Sequence, residues 1–103
     1  MISCKKCSAT PESSKGFRRA VSISGGIMGN EHTDTYYYCQ ECKCFTCERY
    51  VDFFDGRESS ALDGPISKAE GDRVLALIRQ CETPYEKRCR CRAHREYFGD
   101  ALD

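Results

Sequence analysis

The chain has 103 residues, and its 16 basic residues balance 16 acidic ones, so the formal net charge is zero. This length allows one domain, and the neutral charge excludes a strong overall field that would attract the protein to DNA or to an anionic membrane. Nine cysteines make up part of the 40% apolar content. The remaining apolar residues are few for a core, so the fold needs an additional stabilising device, either metal or disulfides.

The cysteines are better suited to zinc than to disulfides. The segment 1–7 is not an apolar signal segment, and no stretch of the sequence is long and apolar enough to span a bilayer. We therefore expect a cytoplasmic protein without membrane contact. Disulfides rarely persist in the reducing cytoplasm, and an odd number of cysteines also fits a disulfide framework poorly.

The first regular elements in the chain are two predicted β-strands. The first is expected at 17–24, where apolar and polar residues partly alternate, and the second at 33–39, which is rich in threonine and tyrosine. Glycine-rich turn chemistry lies between them, including Gly25-Gly26. The two strands should therefore pair as a β-hairpin, with Ile27 and Met28 as an apolar loop tip.

The next segments are a strand and a loop. Residues 48–54 predict a third strand, which ends at the turn signal Asp55-Gly56. The polar, Gly- and Ser-containing segment 57–64 predicts a loop. Towards the end of the chain, residues 93–98 predict a short helix, and 99–103 are expected to be frayed.

One amphipathic helix is predicted at about 68–81. Ser67 and Glu70 form a capping box, and the apolar residues that follow recur at helical spacing. We therefore expect an α+β fold: a single zinc-binding domain over 1–103, with a β-hairpin, a third strand and this helix. Residues 1–64 would form its β-rich part, and 65–103 the helix and a C-terminal half-site.

Four short motifs have the spacing of metal half-sites. Three are Cys-x-x-Cys pairs and the fourth is Cys-x-x-His. Such a turn lets two side chains chelate one ion, and two turns together complete a tetrahedral zinc site. Four half-sites therefore predict two Zn²⁺ ions. The predicted ligands are Cys4, Cys7, Cys39, Cys42, Cys44, Cys47, Cys91 and His94.

The half-sites can pair in two ways. Sequential pairing joins the first with the second and the third with the fourth; interleaved pairing joins the first with the third. We favour sequential pairing, because the hairpin closes the first site locally. Cys42 and Cys44, which are separated by Lys43 alone, are expected to serve different ions. Of the two remaining cysteines, Cys81 is expected to pack in the core. Cys89 either replaces Cys91 as a ligand or is a reactive thiol.

The spacing of these residues resembles two known groups. The pairs Cys4-x-x-Cys7 and Cys39-x-x-Cys42, on either side of the predicted hairpin, look like a zinc ribbon. The whole series of four pairs is similar to the cross-brace pattern of RING-type fingers. Both resemblances imply zinc architecture and no particular activity. Iron, as in rubredoxin-like sites, is the rival metal, and the histidine of the last pair favours zinc.

The motifs predict binding rather than catalysis. Thiolate-rich sets with four protein ligands leave no open position for a reactive water, and the sequence contains no His-Glu-x-x-His motif, phosphate-binding loop or nucleophile elbow. We expect a protein-interaction or regulatory module with a protein partner. One alternative is a nucleic-acid-binding zinc finger that uses the basic C-terminal segment. Another is a thiol redox or metal-responsive regulator that uses Cys81 and Cys89.

Overall fold

The computed structural model describes residues 2–103, so Met1, the first residue of the predicted domain, lies outside the described residues. The architecture is α+β: a four-stranded antiparallel sheet, in the order β1-β2-β3-β4, carries two helices. The strands are β1 (Phe17–Ile27), β2 (Asn30–Cys39), β3 (Cys44–Asp52) and β4 (Glu58–Ser67). The helices are α1 (Lys68–Ile78) and α2 (Arg92–Phe98), followed by a 3₁₀ turn (Gly99–Ala101).

The predicted hairpin is present, but its turn is shorter than expected. Met28 and Gly29 both have positive φ, 54° and 82°, which is typical of the tight turn between two strands with right-handed twist. Gly25 and Gly26 therefore lie inside β1. Gly25 is required by packing, because a Cβ at this position would lie 2.6 Å from the ring of Phe98.

The segment that was expected to be a loop is mostly strand β4, and this corrects the prediction. β4 pairs with β3 from Cys44↔Ser67 to Asp52↔Glu58. It is an edge strand, and most of its residues are exposed. A polar edge strand that faces solvent lacks the apolar alternation by which strands are recognised in a sequence.

Helix α1 covers one face of the sheet and forms the main core with it. The helix begins as predicted, with the Ser67 hydroxyl accepting a hydrogen bond from the Glu70 N–H (3.2 Å). Gly71 lets the helix approach the sheet closely, because a Cβ there would lie 2.1 Å from the Phe45 ring. The buried residues of this core are Ile23, Tyr36, Phe45, Cys47, Leu75 and Ile78.

The C-terminal segment is tied to β1 and is not a frayed end. The backbone N–H of Ser24 donates to the Pro84 carbonyl (2.8 Å), and the N–H of Asp103 donates to the Gly26 carbonyl (2.8 Å). The Asp103 carboxylate also accepts hydrogen bonds from the N–H groups of the β1–β2 turn. Within residues 2–103, no helix is long and apolar enough to cross a membrane.

Candidate metal centres

Two groups of four potential ligands form in the described part of the chain. Within each group, all ligand atoms lie within 4.8 Å of one another. We call them the N-terminal cluster and the C-terminal cluster. Each offers the number and type of ligand atoms that a tetrahedral zinc ion takes. The N-terminal cluster is Cys4, Cys7, Cys39 and Cys42, and the C-terminal cluster is Cys81, Cys89, Cys91 and His94.

The N-terminal cluster joins two turns that are distant in the sequence. Cys4 and Cys7 lie on a turn near the N-terminus, while Cys39 ends β2 and Cys42 lies in the β2–β3 turn. The Sγ atoms of Cys7 and Cys39 are 3.8 Å apart. A zinc tetrahedron with Zn–S bonds of about 2.3 Å has S···S edges of about 3.8 Å, so this spacing fits an ion at the centre.

Backbone hydrogen bonds hold the N-terminal cluster in place. The N–H of Lys5 donates to Thr46 Oγ1 (3.1 Å) and thereby attaches the first turn to β3. Burial raises the pKa of the Cys4 thiol, but hydrogen bonds from the backbone N–H groups of Cys7 and Lys6 outweigh it and lower the pKa to about 7. The turn thus favours the thiolate, which is the form that binds metal.

The C-terminal cluster is assembled from one continuous part of the chain. Cys81 follows α1, Cys89 lies in the loop, and Cys91 is the N-cap of α2, where its sulfur accepts a hydrogen bond from the His94 N–H (3.4 Å). The Sγ atoms of Cys81 and Cys89 are 3.7 Å apart. The Nδ1 atom of His94 lies 3.4 Å from Cys81 Sγ and 3.3 Å from Cys91 Sγ.

The imidazole of His94 is oriented by the sheet. This side chain is fully buried, and its Nε2 lies 2.9 Å from the carbonyl oxygen of Ser24 in β1. A carbonyl oxygen can only accept a hydrogen bond, so Nε2 carries the proton and the lone pair of Nδ1 faces the three thiols. This arrangement is typical of histidine ligands, whose second nitrogen is usually bonded to a carbonyl or carboxylate.

The thiols of the C-terminal cluster differ in acidity. Burial raises the pKa of Cys81 to about 11. The backbone N–H of Cys91 lowers the pKa of Cys89. Because zinc binds thiolates, loading this cluster must release protons, and metal affinity should increase with pH.

Four of the eight predicted ligands lie together as sequential pairing predicts, and the second group differs in membership from the predicted one. The N-terminal cluster has the membership that sequential pairing predicts. Cys44 and Cys47 lie in neither cluster, whereas Cys81 and Cys89 lie beside His94 and Cys91. Cys89 therefore joins Cys91 instead of replacing it, and Cys81 is a potential ligand as well as a buried residue.

The reason lies in the conformation around Cys44 and Cys47. Both belong to strand β3, where residues three apart point to opposite faces, so the pair cannot chelate one ion as a turn does. Cys44 packs with Cys4, Phe17 and Cys39, whereas Cys47 is fully buried in the core under α1. Cys44 lies in neither cluster, so the structure offers it no ion of its own, contrary to the expectation that Cys42 and Cys44 serve different ions. The sequence signal for the C-terminal cluster is the concentration of four potential ligands, three cysteines and one histidine, within residues 81–94.

A partly buried polar network attaches α2 to the sheet next to the C-terminal cluster. The hydroxyl of Tyr97 donates to Asp34 (2.5 Å), which also accepts from Arg49 Nη1 (2.7 Å). The hydroxyls of Tyr36 and Tyr97 lie 2.6 Å apart. Burial raises the pKa of Tyr36 to about 12, so this phenol stays protonated at neutral pH.

Comparisons of the chain with protein-family models, with curated proteins and with solved structures found no match. The chemistry of the site therefore follows from its donor atoms. The two cysteine-rich clusters could each hold one metal ion, which is compatible with two zinc ions.

Proposed function

We propose that the chain is a protein-interaction or regulatory module whose fold is held together by two structural Zn²⁺ ions. The observation that carries this proposal is the presence of two complete four-ligand sets, placed near opposite ends of β1. The N-terminal cluster packs beside Phe17, and the C-terminal cluster is bonded to Ser24 through His94. Two ions at these positions would fasten both terminal segments to a small sheet.

Zinc is the metal that the donor atoms favour. A four-cysteine set suits zinc or iron, but a Cys₃His set with a buried, oriented imidazole is typical of structural zinc sites. A Cys₄ site with one Zn²⁺ carries a net charge of about minus two. Lys5, Lys6 and Lys43 lie next to its ligands in the sequence and would partly offset this charge.

We propose a structural and non-enzymatic role for both ions. Four protein ligands leave no coordination position for a substrate or a reactive water, and several thiolates reduce the Lewis acidity of zinc. The ions would act by closing loops whose order otherwise costs conformational entropy.

A protein partner is favoured by an exposed apolar tip. The side chains of Met28 and Phe54 are 82% and 84% exposed. The Phe54 N–H donates to Asn30 Oδ1 (3.1 Å), which holds the β3–β4 turn beside the β1–β2 turn. Exposed apolar groups on two neighbouring turns are characteristic of a protein contact.

The basic C-terminal segment supports nucleic-acid binding less well. The Arg92 side chain forms an ion pair with Glu96 (2.7 Å). The guanidinium of Arg90 donates to the carbonyls of Lys87 and Cys89. These cations are thus partly engaged within the protein, and bound thiolates would offset them further.

Native mass spectrometry with elemental analysis, on protein purified without added metal, tests the metal part of this proposal. We expect two zinc ions per chain and nine titratable cysteine thiols after denaturation in chelator. Iron in either cluster would contradict the structural zinc role. A metal-free, folded protein with lost thiols would replace it with a disulfide framework.

A further inference from the structure

A basic recess, lined by none of the cluster residues, lies between the start of β1 and helix α1. Its volume is about 390 Å³. The floor is apolar and includes Tyr38 and Leu75. The rim carries four cations, which are Arg18 and Arg19 from β1, Lys68 from α1 and Arg79 at the C-terminal end of α1, together with one carboxylate, Asp72.

The cations of β1 lie beside a β-bulge. Adjacent residues of a regular strand point to opposite faces. Here the register with β2 shifts between Arg19 and Val21, and Arg18, Arg19 and Ala20 all line the recess. Bulges disturb the regular alternation of side chains and are frequent beside functional sites.

Three of the four cations have no acidic partner. Lys68 forms an ion pair with Asp72 (2.6 Å). Among residues 2–103, no carboxylate lies within ion-pair distance of Arg18, Arg19 or Arg79. The recess therefore has a positive charge that is left available for a bound anion, although the chain as a whole is neutral.

The backbone of β1 next to the recess is an open sheet edge. β1 is one of the two edge strands of the sheet. The C-terminal segment bonds to its outer side at Ser24 and Gly26. Over residues 18–22, in the described part of the chain, the backbone bonds only to β2. An open edge can pair with an added strand.

We propose that the outer edge of β1 at residues 18–22, together with the basic recess, binds an extended acidic peptide segment of a partner protein. The peptide adds a fifth strand by backbone pairing, and its carboxylates contact the guanidinium groups of Arg18, Arg19 and Arg79. This inference rests on the proposed protein-interaction role and identifies the chemistry of the partner.

The edge distinguishes a peptide from a nucleic acid. Guanidinium groups and an aromatic floor would also suit single-stranded nucleic acid. A nucleic acid, however, cannot complete the ladder of backbone hydrogen bonds that β1 offers, whereas an extended peptide can. The observations together therefore favour the peptide, and a nucleic acid becomes an alternative that the experiment must separate.

The probe is a fluorescein-labelled peptide of about ten alternating Glu and Val residues, a length typical of a strand. Its binding to the zinc-loaded full chain is measured by fluorescence anisotropy, with an alternating Lys and Val peptide as the control probe. We expect saturable binding of the acidic peptide alone. The double variant R18E/R19E should lower its affinity about tenfold or more, because attraction becomes repulsion at two contacts.

The matched control is R57E/R73E, which makes the same change in net charge at two exposed arginines outside the recess. We expect this variant to bind the acidic peptide with an affinity within about twofold of the wild type, once the long-range effect of net charge, which both double variants share, is allowed for. An equal loss in both double variants would show attraction by overall charge and would overturn the site.

Amide spectra locate the bound peptide. In ¹⁵N-labelled protein, binding should shift the backbone signals of residues 18–22 and protect edge amides from solvent exchange, which simple charge attraction does not do. Shifts confined to the Met28 and Phe54 tip or to the C-terminal segment would refute the proposal. So would binding of an oligothymidylate that depends on Arg18 and Arg19 while the acidic peptide does not bind.

The number of bound zinc ions, together with peptide binding, shows which of the two proposals fails: the peptide site or the structural role of zinc. If the protein holds two zinc ions and remains folded but no acidic peptide binds, the peptide site is wrong and the structural role of zinc stands. If the protein folds without metal and the peptide still shifts residues 18–22, the zinc role is wrong and the peptide site stands.

Discussion

The two cysteine-rich clusters offer almost the same donor atoms but draw them from the chain in different ways. The N-terminal cluster joins turns that are far apart in the sequence, and both turns carry the Cys-x-x-Cys spacing. The C-terminal cluster is local, within 81–94, but only its last pair has a recognisable spacing. Regular Cys-x-x-Cys spacing thus allows a chelating turn to be predicted from the sequence, whereas a set of ligands with irregular spacing is recognised only from the tertiary structure.

A second comparison explains why equal spacing led to different outcomes. The pairs Cys39-x-x-Cys42 and Cys44-x-x-Cys47 are separated by Lys43 alone. The first pair lies on a turn, which ends at Lys43 with a positive φ of 53°. The second lies in β3, with its cysteines on opposite faces. The motif predicts chelation only when the backbone turns.

The largest effect is expected from removing one ligand of the C-terminal cluster. The variant C81S should lose one of two zinc ions and several kcal/mol of stability, because zinc binding is coupled to folding. The matched control C47S changes a buried cysteine outside both clusters and should keep two ions, with a loss of about 1–3 kcal/mol from core packing. In both variants, native mass spectrometry counts the bound ions and urea unfolding measures the loss of stability. Retention of two ions in C81S, or loss of one in C47S, would reverse the assignment.

The next prediction separates the role of His94 as a metal ligand from its hydrogen bond to the sheet. The variant H94C converts the C-terminal cluster to the donor set of the N-terminal one and should keep two zinc ions. It should lose about 1–3 kcal/mol of stability, because the Ser24 carbonyl loses the Nε2–H that now bonds to it. Zinc counting and urea unfolding test this. Unchanged stability would mean that the Ser24 contact contributes nothing.

A loss of similar size is expected from crowding between β1 and α2. In G25A the new methyl group would meet the Phe98 ring, and we expect a loss of about 1–3 kcal/mol from overpacking. Amide spectra should change around α2 and the C-terminal cluster and remain constant around Cys4 and Cys39. Equal changes at both clusters would indicate that they are coupled through β1.

The smallest effect concerns the polar network of α2. The variant Y97F removes the hydroxyl that bonds to Asp34 and should cost about 1–2 kcal/mol at neutral pH.

Burial raises the pKa of Tyr36 from 10.0 to about 12. The stabilisation that comes from keeping the Tyr36 phenol protonated in the folded state is therefore complete below about pH 10, and it is lost as the pH rises towards 12.

Unfolding measured between pH 8 and 12, with tyrosinate absorbance as the readout, tests this pH dependence. Burial and the Asp34 carboxylate also raise the pKa of Tyr97, so the wild type should lose more stability across this range than Y97F does. Equal losses in the two proteins would show that Tyr97 ionises normally.

The sequence by itself determined the local elements and the first set of potential ligands. The β1–β2 hairpin, the start of α1 at Ser67 and the turns around Cys4 and Cys39 depend on contacts between near neighbours, such as a cap, a tight turn or a repeated spacing. These contacts can be inferred from a few consecutive residues.

Tertiary structure decided the remaining features. β4 is a strand because β3 offers it hydrogen bonds, despite its polar sequence. Cys81 and Cys89 enter the C-terminal cluster because α1, the loop and α2 converge there, while β3 separates Cys44 from Cys47. The basic recess exists because the start of β1 and helix α1, which are distant in the sequence, meet in the fold. Each of these outcomes depends on which surfaces meet across the fold, and this is set by burial and strand pairing between distant segments.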